Sequence, residues 1–328
     1  MHPVLVGLPS YGLMLALALL LGWSVMQSLG RRDHLPPGRM STAYVLGAGF
    51  GLFGARLGWI LSRPNDQAAQ AELVAIHGDE LAPFLGLMMG AVVSGLYLAR
   101  RRIPIAAGYD VAAPALAAVA IVERLGALLA GTGYGRVAPE LPWAIQFPAG
   151  SPAFLDHQRN LEGLLPVGAE HSLPVHPTQI YGMLLAGVTL AVALWLRKHR
   201  SFSGQVVLGT GIAHLVGRAL IEDWFRADAG PAMAGPLSSG QLSAVVLIVA
   251  LGVVMWARAR LSARSPAAYR PWEGGRWSPR DGSAAGSSAA SSSAGPGKST
   301  VKTAGGGKPA AKAKHKGKGG KHKRRKKR

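Results

Sequence analysis

The sequence predicts an all-α membrane protein of about seven transmembrane helices, and three observations carry that prediction. Almost half of the 328 residues (49%) are hydrophobic and 16% are charged, against about a quarter charged in a typical soluble domain. Seven apolar stretches are long enough, at 1.5 Å rise per residue, to cross a hydrocarbon layer about 30 Å thick with their backbone groups bonded internally. Basic residues also fall in every second loop, the pattern membrane topology requires.

Taken in order, the predicted spans are Ser10 to Leu29, Ala43 to Leu61, Leu81 to Ala99, Val111 to Gly131, Ile180 to Leu196, Val206 to Asp223 and Leu242 to Ala259. The first follows Met1 without a basic leader and outruns the core of a cleaved signal peptide, so it reads as a retained helix. Arg31, Arg32 and Arg39 follow the first span, Arg100 to Arg102 the third, and Arg197, Lys198 and Arg200 the fifth, which places these loops in the cytoplasm. The intervening loops carry Asp66, Glu72, Asp79 and Glu80, then Glu140, Asp156, Glu162 and Glu170, then Asp228. The expected orientation is therefore N-terminus outside and C-terminal tail cytoplasmic.

Residues 1–264 are expected to form the helical domain. Within it, residues 132–179 hold seven prolines and Trp143 and read as a functional outer loop or a small folded head. Residues 265–328 are rich in Gly, Ser and Ala and then in Lys, with too few apolar side chains to offset chain entropy, so a disordered tail is expected there. The tail also explains the net charge of +20: 14 Lys and Arg and no acid lie between Lys298 and Arg328, and removing them leaves +6 on residues 1–297. With no aromatic residue after Trp277 to stack on bases, the tail suits anionic lipid better than a specific nucleic acid.

The chain has no cysteine, which excludes a disulfide, a thiolate zinc site and a cysteine nucleophile. Any reactive thiol must come from a substrate, and no cofactor or metal is expected. Charged groups inside spans are costly and therefore candidate functional residues. Glu123 and Arg124 are adjacent in the fourth span, Arg56 lies in the second, and Arg218, Glu222 and Arg226 recur every four residues along the sixth, which predicts one helical face. These groups read either as structural ion pairs or as a site for an anionic lipid headgroup, whose phosphate matches the arginine fork. The segment His176-Pro177-Thr178-Gln179-Ile180-Tyr181 brings His, Gln and Tyr to the start of the fifth span, where His176 reads as a capping residue or as part of a polar mouth. The glycines between Gly47 and Gly54 read as close helix packing.

Several motifs, in order between Pro9 and Ala259, resemble the prolipoprotein diacylglyceryl transferases. They are Pro9 to Met14, Gly54 to Gly58, Phe84 to Gly90, Asp110 with Ala113 to Leu116, Arg124-Leu125-Gly126, Tyr134-Gly135-Arg136, Leu141 to Ala144, His176 to Tyr181, Arg218 with Ile221-Glu222 and Arg226, and Leu237-Ser238 with Gly240-Gln241. The resemblance implies a seven-helix enzyme of the bacterial cytoplasmic (inner) membrane. Its substrates would be phosphatidylglycerol and the lipobox cysteine of prolipoprotein signal peptides, with the catalytic side outside. It implies catalytic roles for Arg124 and Arg218, and substrate binding by Tyr11, Gly135, Arg136, Gln179, Tyr181, Glu222 and Arg226. The sequence departs from the family at Leu85 for a catalytic histidine, Ala127 for an asparagine, Thr132 and Gly182 for glutamates, and His214 for a tyrosine. A base must still help ionise the incoming thiol. His214, one turn before Arg218, and His176 are the candidates to replace the missing histidine. A catalytically inactive or rerouted paralog that binds phospholipid or lipoprotein is the alternative, whereas a transporter would call for internal repeats or paired broken helices, which the sequence lacks.

Overall fold

The computed structural model describes residues 4–5, 8–62, 81–161, 163–166, 168–227, 232–234 and 237–264. The predicted tail, most of the acidic loop after the second span, and Asp228 lie outside them. Eight helices organise the described residues: α1 Ser10–Arg32, α2 Pro37–Leu61, α3 Pro83–Arg100, α4 Ile105–Ala130, α5 Pro152–Asn160, α6 Thr178–His199, α7 Gln205–Gly217 and α8 Ser239–Arg264. Helix α7 runs on through a π turn, Arg218–Glu222, and a last turn, Asp223–Phe225. Two small antiparallel ladders, Val4–Leu5 with Leu8–Pro9 and Ala232–Ala234 with Leu237–Ser238, precede α1 and α8.

Helix ends follow local chemistry. Proline occupies the first turn of α2, α3 and α5, where its missing N–H is no loss. Helix α4 stops at Gly131, whose φ of 76° suits a residue without Cβ. Pro114 inside α4 is the kind of break a transmembrane helix tolerates when neighbouring helices surround it.

The packing is that of a protein solvated by lipid. Five helices, α1, α2, α4, α6 and α8, are long and apolar enough to cross a membrane, and the shorter apolar helices α3 and α7 pack among them. Leu20, Val45, Leu87, Leu184 and Val246 are exposed on the outside, while alanines fill much of the interior around α4. Association of such helices depends on close backbone approach. Between α2 and α3 that approach is extreme: a Cβ on Gly86 would stand 2.6 Å from the Gly51 carbonyl oxygen, and one on Gly90 2.5 Å from that of Gly47. Gly47, Gly51 and Gly54 meet the packing role expected of this stretch, whereas Gly49 has nothing within 4 Å. Leu85, at the family's histidine position, is part of the same seam, its side chain against Gly58 and its carbonyl against Gly54.

Helix α4 is the central element, in contact with α1, α6 and α7. At one end of the bundle, Asp33 accepts two hydrogen bonds from each of Arg197 and Arg200, at 2.7–3.0 Å. Beside it, fully buried Asp110 of α4 accepts from the backbone N–H groups of Gly204 (2.7 Å) and Val207 (2.9 Å), capping α7 from another helix. The opposite end carries residues 132–177.

That segment is a folded head. It holds α5, N-capped by Ser151, and isolated bridges join Val137 and Ile145 to Val175 and Pro148 to His171. Phe147, Ala153 and Val175 form its apolar centre. His157, 2% exposed, accepts the Leu173 N–H at 3.2 Å and stands edge-on to Tyr134, whose hydroxyl donates to Asp156 at 2.5 Å.

Candidate functional site

The site is built where α1, α4, α6 and α7 meet the head. Tyr11, in the first turn of α1, donates from its hydroxyl to Glu123 Oε1 at 3.2 Å, while Glu123 Oε2 lies 3.7 Å from Arg124 Nε. One carboxylate therefore ties α1 to the arginine of α4. The Arg124 arm crosses to α6 at Gly182, where a Cβ would stand 2.9 Å from Nε. Ala127 and Thr132, where the family has polar groups, serve packing and backbone instead. Ala127 is buried with Tyr11 and Leu15, and the Thr132 carbonyl accepts from Gln179 Nε2 at 2.8 Å.

Helix α6 gathers the other candidates on the same face. Gly182, Leu185 and Thr189 are all buried and follow at three and four residues, one helical stripe. Gly182 faces Arg124, Leu185 packs on Gly217 of α7, and the Thr189 hydroxyl lies 3.5 Å from His214 Nδ1. Arg218 follows Gly217, and its N–H bonds to the His214 carbonyl, so it stands one turn beyond that imidazole as expected. Arg124 and His214, far apart in sequence, thus meet one face of α6 at Gly182 and Thr189, about 10 Å apart along the helix at 1.5 Å per residue, and Arg218 follows the Gly217 contact.

The predicted helical face of Arg218, Glu222 and Arg226 ends before Arg226. The helix passes through a π turn at Arg218–Glu222 and one last turn at Asp223–Phe225 before it ends. Arg226 has left the helix and pairs with Gly135 in an antiparallel bridge, its carbonyl accepting from Arg136 Nε at 3.3 Å. The side chain of Glu222 lies outside the described part of the structure. Helix α8 braces the π turn: Gln241 Nε2 donates to the Ala219 carbonyl at 3.0 Å. Gln241 and Ser238 also form a reciprocal cap at the start of α8, each side chain accepting from the other's backbone N–H.

The rim is aromatic. His176 packs its ring 4.7 Å from Phe225 and 6.2 Å from Tyr181, and its Nδ1 lies 3.4 Å from the Tyr181 hydroxyl, which also accepts from Trp143 Nε1 at 2.9 Å. Burial, and then the positive charge of Arg136, push the His176 imidazole below its ordinary value. Gly135 is the pin of this rim, since a Cβ there would stand 2.6 Å from His176 and 2.7 Å from the Phe225 carbonyl oxygen. Arg56, by contrast, sits buried inside α2 over the Trp59 ring at 4.5 Å. Sequence reasoning passed over Asp33, the lone acid among the arginines after α1, and did not anticipate Trp143 donating to Tyr181.

The match to known proteins runs through the same elements. A family profile described as prolipoprotein diacylglyceryl transferase covers residues 3–258. Proteins named phosphatidylglycerol–prolipoprotein diacylglyceryl transferase are similar to the chain. The one from Erwinia tasmaniensis is 31% identical over 277 residues, 78% of this chain and 90% of that protein. The Serratia proteamaculans protein is 31% identical over 66% of this chain and 77% of its own length, and the Polaromonas sp. strain JS666 protein 30% identical over 66% and 74%. Since the profile spans every helix that builds the site, from Tyr11 in α1 to Gln241 in α8, the chain belongs to the prolipoprotein diacylglyceryl transferase family.

Proposed function

We propose that this chain transfers the diacylglyceryl group of phosphatidylglycerol to the lipobox cysteine of prolipoproteins at the outer side of the bacterial cytoplasmic membrane. The observation that carries this reading is the placement of Arg124 and the Arg218-bearing turn against one stripe of α6 at the head end of the bundle. Arginine forks suit a phosphodiester, and charge that builds on the leaving phosphate would be stabilised where it forms. In the transfer, the cysteine sulfur bonds to the glyceryl CH2, the C–O bond to phosphate breaks, and glycerol phosphate leaves with the electron pair. The thiol proton passes to a base, because a free thiol with pKa about 8.5 is only a few per cent ionised at neutral pH.

We assign that base to His214. It shares the α6 stripe with Arg124 and stands one turn from Arg218, whereas His176 is held among the Tyr181 and Phe225 rings. Tyr11 acts through Glu123 on Arg124, and Gly135, Arg136, Gln179, Tyr181 and Arg226 shape the mouth through which lipid and signal peptide enter. A catalytically inactive or rerouted paralog is the less favoured reading, because the relatives carry the transferase name along up to 90% of their own length.

The test is transfer of labelled diacylglyceryl from phosphatidylglycerol to a lipobox peptide by the purified protein, beside lipid binding on the same sample. Arg218→Lys, which keeps charge but loses the bidentate fork, is expected to weaken binding. His214→Gln is expected to abolish transfer and spare binding. Transfer that survives His214→Gln but not His176→Gln moves the base to the rim, and a folded wild-type protein that binds no phosphatidylglycerol overturns the reading.

A further inference from the structure

The arm of Arg124 does not merely point at α6. Three successive atoms follow its backbone: a Cβ built on Gly182 would stand 2.9 Å from Nε, 3.0 Å from Cδ and 3.4 Å from Cγ. On its other side Nε meets the Glu123 carboxylate at 3.7 Å, and that carboxylate is tied to Tyr11. Further out, Nη1 lies 3.8 Å from where a Cβ of Gly133 would be. The arm therefore lies in a groove whose floor is the bare backbone of α6, and any side chain at the buried position 182 would take volume the arm now fills.

We infer that Gly182 is the positioning residue for Arg124, holding the guanidinium in register by having no side chain. The inference rests on the phosphate role proposed for Arg124. A Cβ closer than 3 Å to Nε forces the arm to move, and Cδ and Nε sit on rotatable bonds, so it can do so without unseating the helices. Stability and position are thereby separable at this residue, as they seldom are in a packed core. Displacement of a substrate-holding group by about 1 Å is enough to cost on the order of 100-fold in rate.

The experiment uses the full chain and compares Gly182→Ala with Gly187→Ala, the same change on the same helix at a glycine with nothing within 4 Å of its Cβ position. Gly182→Ala is expected to lower kcat for transfer about 10- to 100-fold, with a thermal midpoint like that of Gly187→Ala, which keeps wild-type activity. It should also weaken phosphatidylglycerol binding in the wild-type background and not in Arg124→Ala, the non-additivity of residues that act as a unit. Independently of activity, the Nε–H resonance of Arg124 in arginine-labelled protein, assigned by its loss in Arg124→Lys, should shift in Gly182→Ala and stay in Gly187→Ala. An unmoved resonance, or an equal loss of binding with and without Arg124, overturns the inference. A moved resonance together with wild-type binding by Arg124→Ala keeps the positioning and overturns the phosphate role instead.

Discussion

Arg197 closes a two-pronged fork on Asp33, Nη1 to Oδ2 at 3.0 Å and Nη2 to Oδ1 at 2.7 Å, and so fastens the end of α6 to the turn after α1. Arg200 adds a second fork. Burial alone would raise the Asp33 carboxyl, but the hydrogen bonds and charges of Arg200 and Arg197 outweigh it and hold the group below its ordinary 3.8. A carboxyl with a lowered folded value contributes fully above 3.8, and the contribution fades as pH falls through that value toward the folded one. Thermal midpoints in detergent should therefore stay flat on Asp33's account above about pH 5 and drop below about pH 4. Asp33→Asn should cost about 2–4 kcal/mol at neutral pH, by leaving two mostly buried arginines without their counter-ion. A flat profile down to pH 3 in the wild type would sink this account.

The α2–α3 seam predicts a sharp contrast between glycines. Gly90→Ala pushes a methyl group into the Gly47 carbonyl and should cost about 1–3 kcal/mol. Gly49→Ala, two residues beyond Gly47 and so on the other side of α2 with nothing within 4 Å, should be neutral or slightly stabilising. Denaturation of both variants in one detergent decides it, and equal midpoints would argue against close packing here.

Gln241 carries two duties, a cap and a brace. Ser238→Ala removes only its share of the cap, about 1 kcal/mol. Gln241→Ala also strips the donor from the buried Ala219 carbonyl, for about 2–3 kcal/mol in all. Because that carbonyl belongs to the turn that presents Arg218, transfer activity should fall more in Gln241→Ala than in Ser238→Ala. Equal activities would leave the brace without a functional role.

The head should be sensitive to mild acid. Burial, partly offset by Asp156, lowers the His157 imidazole below 6.5, and burial and then Arg136 lower His176. Both favour the neutral ring in the fold, so their contribution is complete above 6.5 and is lost as pH falls below it, by at most about 1.4 kcal/mol per pH unit for each ring. Protonation at Nδ1 of His157 would also remove the acceptor for the Leu173 N–H. Amide exchange at Leu173 should quicken between pH 7 and pH 5 beyond the intrinsic trend, and His157→Gln should remove most of that excess. Unchanged protection at pH 5 would show that the ring does not titrate with the fold.

The proposed orientation is testable with single cysteines in a chain that has none. Ser172 is buried at 1% exposure and would report poorly, whereas His171 and Ser201 are exposed. An impermeant thiol reagent on intact cells should label His171→Cys and spare Ser201→Cys. The reverse pattern would invert the topology.

Most of the helices were legible because lipid imposes a length and a composition on them. Helix α4 nonetheless starts at Ile105, six residues before the expected Val111. Asp110 falls just outside the predicted span, yet it is a buried cap for α7. In the site, Arg124 and Arg218 stood out as costly charges in apolar runs. The shared α6 face that meets Arg124 and His214 did not, since it depends on which residues of α6 face inward against two other helices. The π turn was invisible for a different reason: counting in fours assumes an α-helix, and the Ala219 carbonyl finds its donor in Gln241, 22 residues away.

Asp110 has a consequence beyond capping. It grips the start of α7 from one end of α4, while Arg124 sits 14 positions along α4 and Arg218 lies just past the far end of α7. The two helices resemble a caliper, pinned together at the buried carboxylate. Helix α6 is the gauge block between its jaws, with Gly182 against one and Leu185 against the other. On the phosphate role proposed for Arg124 and Arg218, the gap offered to a headgroup would be set by side chains that never touch it, and a size series at Leu185, read as preference among phospholipids with larger or smaller headgroups, would measure that gauge directly.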